Sequence, residues 1–206
     1  EDASELHRSM AYVPGDVHLW PTLTGGEVID LLNKLRGGIN AKRRSEMLAR
    51  FELDPTKRCD TYSKGNRQKV GLVAAFASNA ELFILDEPTS GLDPLMTVVF
   101  QDCVLEQKKQ GKTVLMSSHI LADVERLCDR VSIIRKGEIV ETGTLAELRH
   151  LTRTSVEVEV SKPLSGLDAL PGIYELNIDG SSASFQVESD KIDGAMRHLS
   201  QLGIRS

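Results

Sequence analysis

The segment Leu82-Phe83-Ile84-Leu85-Asp86-Glu87 is the clearest indication of fold class in this 206-residue chain. Four consecutive apolar residues bounded by polar ones are typical of a short strand that is buried on both faces of a parallel sheet. Two carboxylates follow at the carboxyl end of that strand. Because open α/β sheets bind ligands at this edge, the segment predicts both an α/β fold and a ligand site.

A second segment of the same kind lies downstream, at Thr113-Val114-Leu115-Met116, and it predicts a second buried strand. A helix is expected between the two strands, because Asp93 is a suitable N-cap and Pro94 suits the first helical position. Gly111 then lies just past the expected end of that helix. This strand–helix–strand order favours a parallel sheet.

Three side chains at the predicted sheet edge suit phosphate and metal chemistry. Asp86 is placed to hold Mg²⁺ through water, because Mg²⁺ keeps much of its hydration shell in proteins. Glu87 can orient or deprotonate an attacking water. His119, which follows the second strand, can donate a hydrogen bond to a phosphate oxygen. Taken one at a time, each residue is also typical of an ordinary solvated loop.

Another candidate site precedes an amphipathic helix, at Tyr62-Ser63-Lys64-Gly65-Asn66-Arg67-Gln68-Lys69. Backbone amides at a helix start, a glycine for close approach and the Ser63 hydroxyl together form an anion site. An ordinary N-cap is the alternative interpretation. The loop Ser90-Gly91-Leu92-Asp93-Pro94 is by itself typical of a strand-to-helix turn.

The rest of the first 150 residues supports this organisation. Residues 12–21 form an irregular run with two prolines. Thr24 and Glu27 have the spacing of a capping box and predict a helix start. A further helix is expected over 41–51, and a hairpin over 131–141.

The pattern changes near residue 151. Residues 155–160 alternate strictly, as expected of a half-buried strand, and a hairpin is expected over 174–187. Residues 191–202 have a helical pattern. The sequence therefore predicts an α/β domain over 1–150 and a small α+β domain over 151–206, which is expected to be incomplete.

Composition narrows the classes of function. The chain is 40% hydrophobic and 27% charged, which disfavours intrinsic disorder. Its net charge of −5 and the lack of a basic run disfavour nucleic-acid binding. The longest apolar stretch, 70–77, is shorter than the roughly 18 residues that a membrane span needs. Three scattered cysteines predict reduced thiols in a cytosolic protein.

Four segments together resemble ABC-type ATPases over residues 10–148. In order, they are similar to the signature loop, the Walker B strand, the D-loop and the switch histidine: 62–69, 82–88, 90–94 and 117–119. The amino-acid sequences of these segments, together with Tyr-Val-Pro-Gly-Asp at 12–16, resemble those of ATPases of drug and antibiotic exporters of the daunorubicin-resistance type. Such proteins often carry a small C-terminal α+β domain.

The resemblance implies a partial P-loop NTPase domain with a helical signature subdomain over about 22–78. It implies ATP and Mg²⁺ as cofactors. In this family Asp86 would hold Mg²⁺ through water, Glu87 would be the catalytic base, and His119 would contact the γ-phosphate.

The resemblance also implies partners. The segment Ser63-Lys64-Gly65-Asn66 would contact ATP that is held by a second ATPase subunit, in a homodimer or heterodimer, and Asp93 would lie at the dimer seam. Integral membrane permease subunits would be driven by this dimer. The expected location is cytoplasmic, peripheral at the inner face of the cell membrane, with no nucleic-acid partner.

Two departures from the family pattern stand out. The phosphate-binding Gly-x-x-x-x-Gly-Lys-Ser/Thr loop does not occur in the chain, and in ABC ATPases it lies upstream of the matching segments. We therefore expect a chain truncated before its signature loop, with the Walker A segment missing, and inactive alone. The second departure is Gly15, where the family usually has Gln.

Two functions are compatible with these residues. The first is the ATPase subunit of a bacterial ABC exporter. The alternative is a non-catalytic pairing or regulatory module that supplies only a signature face to another ATPase. The substitution Glu87→Gln discriminates between them, since only the first requires this carboxylate. A ribosome-associated ABC protein is disfavoured by the negative charge.

Overall fold

Three short parallel strands form the core sheet of the computed structural model, which describes residues 3–38, 40–148, 153–188 and 191–205. The strands are β1 (Met10–Val13), β2 (Leu82–Leu85) and β3 (Thr113–Met116), and β2 lies in the middle. The predicted bounds of β2 and β3 are confirmed, as is the α/β fold. The predicted irregular run over 12–21 is wrong at its start, because Tyr12 and Val13 pair with β2.

Among the described residues, helices accompany this sheet in the order α1 (Ala3–Arg8), α2 (Gly25–Leu35), α3 (Ala41–Arg50), α4 (Lys64–Phe76), α5 (Pro94–Lys109) and α6 (Leu121–Leu127). A 3-10 turn, Cys59–Thr61, precedes α4. The predicted capping box is confirmed, since the Glu27 N–H donates to Thr24 Oγ1 at 3.2 Å and the Thr24 N–H donates to Glu27 Oε2 at 2.7 Å. None of the helices in the described part of the chain combines the length and the apolar character needed to cross a bilayer.

Aromatic side chains fill the space between the helices and the sheet. Phe76 stacks on Phe83 with ring centroids 5.7 Å apart. The ring centroids of Phe51 and Phe100 lie 6.3 Å and 6.1 Å from that of Phe76. All four phenylalanines are buried. Cys103 lies in this core, where burial raises the pKa of its thiol to about 12. Cys59 is a second buried thiol of the same core.

The two faces of the core sheet differ in burial. Ala11, Phe83 and Leu85 face the helices and are buried. Tyr12 and Leu115 flank Ile84 on the opposite face, and they are 54% and 62% exposed. The prediction that both strands are buried on two faces is therefore wrong, because Leu115 of β3 is largely exposed and Ile84 of β2 is only partly buried.

Contacts group the chain into two compact units, Glu1–Cys128 and Asp129–Ser206. The second unit contains the predicted hairpin, formed by β4 (Val131–Arg135) and β5 (Glu138–Gly143), and an antiparallel sheet in the order β6-β8-β7. That sheet consists of β6 (Thr154–Glu159), β7 (Ile173–Asp179) and β8 (Ser182–Val187), and α7 (Ile192–Leu202) packs on it. The predicted domain boundary near residue 150, the signature subdomain and the incompleteness of the C-terminal domain stay predictions.

Candidate functional site

The three predicted side chains, Asp86, Glu87 and His119, lie together at the carboxyl ends of β2 and β3. Asp86 and Glu87 follow β2, and the register pairs Leu85 with Met116, so that the residues after β3 lie alongside them. His119 Nδ1 lies 2.8 Å from Glu87 Oε2. The Glu87 side chain is 34% exposed and that of His119 is 78% exposed. This carboxylate–imidazole pair is therefore open to water and to a ligand.

Ser117, which lies in the 117–119 segment but for which the sequence predicted no role, connects these residues. The Ser117 hydroxyl donates to Asp86 Oδ1 at 2.6 Å and accepts from the Glu87 N–H at 2.9 Å. Glu87 has a φ of 43°, in the left-handed region that non-glycine residues seldom adopt. A polar residue directly after a buried strand was the signal in the sequence that could have identified Ser117.

The loop after β1 forms another side of the site. A Cβ atom on Gly15 would lie 3.4 Å from Asp86 Oδ2 and 3.5 Å from the Glu87 Cβ, which is ordinary contact distance. The position where the family usually has Gln thus adjoins both carboxylate residues and has room for a side chain. The neighbouring Asp16 pairs with His18 at 3.2 Å.

The donor set suits a hydrated Mg²⁺ better than a metal enclosed by protein. No cluster of three or more His, Cys, Asp or Glu side chains with metal-binding geometry occurs among the described residues. Asp86 Oδ1 is occupied by Ser117, whereas Oδ2 accepts no hydrogen bond from the residues that the structure covers. One free carboxylate oxygen fits an ion that is held by few protein oxygens and several waters.

The predicted signature segment forms the start of α4. Ser63 is the N-cap, and its Oγ accepts from the Asn66 N–H at 3.3 Å. A Cβ atom on Gly65 would lie 2.4 Å from the carbonyl oxygen of Gly91, and the aliphatic part of Lys64 lies beside Gly91. Only glycine permits this approach between the signature segment and the loop after β2.

Buried polar contacts fix that loop. Gln68 of α4 is buried and donates from Nε2 to the Pro88 carbonyl at 3.2 Å. Asp93 caps α5, and its Oδ1 accepts from the Met96 N–H at 2.9 Å, as the sequence predicted. The structure therefore joins the signature segment to the loop that also carries Glu87. The roles of the individual residues toward a nucleotide stay predictions.

A third contact of this loop involves a buried acid that sequence reasoning missed. Asp123 of α6 is 3% exposed, and its two oxygens accept from Thr89 Oγ1 at 3.1 Å and from Gln101 Nε2 at 2.7 Å. Asp123 lies among charged residues of α6, so no sequence signal distinguished it from a solvated one. These bonds join α5 and α6 to the loop after β2.

The sequence of the chain is similar to those of known ATP-binding proteins. The family model described as "ABC transporter" matches residues 1–90. An uncharacterized ABC transporter ATP-binding protein of Alkalihalophilus pseudofirmus is 33% identical over 89% of this chain and 71% of its own length. The bacitracin transport ATP-binding protein BcrA of Enterococcus faecalis is 33% identical over 82% of this chain and 54% of its own length.

A solved structure extends the similarity to three dimensions. The ATP-binding cassette MJ0796, described as a dimer in a post-hydrolysis state with ADP and phosphate bound, is 25% identical and superposes with a TM-score of 0.60. The matched region covers 70% of this chain and 68% of MJ0796. The chain spans as little as 43% of the length of the curated relatives it matches.

Proposed function

Because the chain belongs to the family of ABC transporter ATP-binding proteins, we propose that it is the ATP-hydrolysing part of a bacterial exporter of drugs or antibiotics. The observation that carries this proposal is the convergence of Asp86, Glu87 and His119 at the carboxyl ends of β2 and β3. The similarity to a bacitracin transport protein supports the choice of exported compound.

The side chains divide the chemistry between them. Glu87 accepts the proton of the attacking water, since its carboxylate is open to solvent and held 2.8 Å from an imidazole. His119 fixes that carboxylate and presents its other ring nitrogen to the γ-phosphate. Asp86 would hold a hydrated Mg²⁺ through water with its Oδ2, and the bound ion would supply positive charge next to the phosphates.

A second ATPase subunit completes the site in this proposal. The start of α4 offers free backbone amides and the Ser63 hydroxyl, which suit the γ-phosphate of ATP held by that subunit. The dimeric state described for MJ0796 supports this assembly. The dimer would act at the inner face of the cell membrane on separate permease subunits.

The test is ATP hydrolysis by the full-length protein that carries this chain, with and without Glu87→Gln. We expect Mg²⁺-dependent hydrolysis that the substitution lowers by at least about 100-fold, in line with the contribution of a positioned general base. ATP binding, measured by fluorescence of a labelled nucleotide, should stay within about threefold, because Glu87 acts on water rather than on the bound phosphates.

Two other outcomes would favour the alternative function. Hydrolysis that Glu87→Gln leaves unchanged would favour the pairing module, which supplies only its signature face. ATP binding without hydrolysis in both forms would point the same way unless the membrane subunits restore turnover. The inactivity of the 206-residue chain alone stays a prediction and can be measured in the same assay.

A further inference from the structure

We propose that Ser117 is a positioning residue of the nucleotide site, whose hydroxyl fixes both the Asp86 carboxylate and the Glu87 main chain. This inference rests on the proposed ATPase function. It gives a role to a residue of the 117–119 segment for which the sequence predicted none.

The two hydrogen bonds use the one proton of the hydroxyl and one of its two lone pairs, and this fixes the direction of each bond. The Glu87 N–H can only donate, so Ser117 Oγ is the acceptor at 2.9 Å. Its single proton is then available for Asp86 Oδ1, 2.6 Å away. Hydrogen bonds from a hydroxyl to a carboxylate are among the short and strong ones. The bridge is therefore directional, and it links the two acidic residues through a third.

The backbone explains why Glu87 needs this partner. The sheet ladder ends with the Asp86 N–H donating to Val13 O and the Ser117 N–H donating to Leu85 O, both at 2.9 Å. The next amide, that of Glu87, donates to the Ser117 side chain instead. Glu87 also adopts a φ of 43°, a left-handed conformation that is unfavourable for a non-glycine residue and persists only where neighbours hold it.

The bridge determines what each acidic residue presents to a ligand. With Oδ1 engaged, Asp86 is left with Oδ2, which faces Gly15 and is the oxygen available to a hydrated metal. With its main chain held, Glu87 directs Oε2 to within 2.8 Å of His119 Nδ1. Loss of the Ser117 hydroxyl should loosen both arrangements at once.

The neighbouring serine provides a matched control. Ser118 Oγ accepts from the Ile120 N–H at 3.0 Å, a local contact just before α6. Ser118→Ala therefore removes a hydroxyl from the same loop without touching either acidic residue. Ser117 is exposed, so that the extra methyl group of Thr or Val has space. Thr and Val have nearly the same shape and differ in the hydroxyl alone.

The experiment compares Ser117→Val, Ser117→Thr and Ser118→Ala in the full-length protein. The first measurement is hydrogen exchange of the Glu87 amide without nucleotide. We expect Ser117→Val to exchange at least about tenfold faster, whereas Ser117→Thr and Ser118→Ala stay within about twofold. The second measurement is the Mg²⁺ dependence of ATP hydrolysis. In Ser117→Val we expect about a tenfold loss of turnover and a similar rise in the half-maximal Mg²⁺ concentration, and Ser117→Thr should restore both.

The two proposals fail in different ways. A wild-type protein that hydrolyses no ATP refutes the ATPase function, while the exchange measurement still tests the bridge. If the wild type is active but Val and Thr variants match in amide exchange and in Mg²⁺ dependence, then Ser117 does not position the site. Equal losses in the Ser117→Val and Ser118→Ala variants would also overturn the proposal, since the effect would then belong to the loop in general.

Discussion

The core sheet of the first unit and the β6-β8-β7 sheet of the second unit distribute polar side chains in different ways. In the first unit, polar residues follow the strands and converge at one edge, where Ser117 and His119 bond to Asp86 and Glu87. In the second unit, polar residues alternate along β6 with apolar ones. Val158 is buried there, whereas the neighbouring Glu157 is exposed.

This difference follows from strand direction. Parallel strands bring all their carboxyl ends to one edge, so the residues after each strand meet. Antiparallel strands place successive ends at opposite edges, and polarity is then spread over one face. We therefore expect the first unit to carry the chemistry and the second to rely on its own core for stability.

We expect the greatest loss of stability from truncation of a core phenylalanine in either unit. Phe83 and Phe185 are fully buried in the first and the second unit, respectively. Truncation of either to Ala should lower the free energy of unfolding of its own unit by about 3–5 kcal/mol, because it leaves a large cavity. Calorimetry on the full-length protein measures this loss for each variant.

ATP hydrolysis, measured below the melting temperature of each variant, should respond differently to the two truncations. Phe83→Ala should lower turnover, since β2 carries Asp86 and Glu87 at its end, whereas Phe185→Ala should leave turnover within about twofold. An inactive but folded Phe185→Ala protein would contradict the division of roles between the two units.

The next effect concerns the contact between the signature segment and the loop after β2. A Cβ atom at Gly65 would lie 2.4 Å from the Gly91 carbonyl oxygen, so Gly65→Ala forces two backbone segments apart. Overpacking of this kind costs about 1–3 kcal/mol, which exceeds the gain of about 0.5–1 kcal/mol from replacing a helical glycine. Thermal unfolding should therefore shift to lower temperature. An unchanged or higher unfolding temperature would contradict the close contact between Gly65 and Gly91.

A glycine of the second unit predicts the opposite sign. Gly194 lies in α7, and a Cβ atom there would meet no heavy atom of the described residues within 4 Å. Gly194→Ala should raise the free energy of unfolding of the second unit by about 0.5–1 kcal/mol, because alanine restricts the unfolded chain and favours the helix. Chemical denaturation detects a change of this size. A loss of stability would show that α7 has a neighbour at this position.

Local patterns predicted the elements of the fold well. Short apolar runs bounded by polar residues predicted the bounds of β2 and β3, and cap chemistry predicted the start of α2 at Thr24 and of α5 at Asp93. The site edge followed from the rule for parallel strands. Each of these inferences depends on residues that are close together in the sequence, where the backbone leaves few choices.

Contacts between residues that are far apart in the sequence could not be predicted from it. Ser117 bonds to residues 30 and 31 positions away, and Asp123 accepts from Thr89, 34 positions away. These pairings depend on which strands become neighbours and on the exact offset of their ends. The exposure of Leu115 was missed for the same reason, since periodicity identifies an apolar strand but not whether both of its faces are covered.

The smallest expected effect concerns an ion-pair network in the first unit. Glu106 of α5 accepts from Arg50 at 2.7 Å and from Arg43 at 3.3 Å, both on α3. The hydrogen bond from Arg50 is the main cause that lowers the pKa of Glu106 below its ordinary value of 4.5. The unfolded chain therefore takes up the proton first, so the stabilisation is complete above pH 4.5 and is lost as the pH falls through the lower folded-state pKa.

Glu106→Gln should remove this pH dependence. Because the Glu106 side chain is 39% exposed and solvent screens the pair, we expect a loss of only about 0.5–1 kcal/mol at neutral pH. Urea unfolding at pH 7 and at pH 3 should show a gap between wild type and variant that narrows in acid. The control is Glu125→Gln, which makes the same charge change at an exposed position of the same unit. An equal response in both variants would mean that net charge, rather than the pairing of α3 with α5, causes the acid sensitivity.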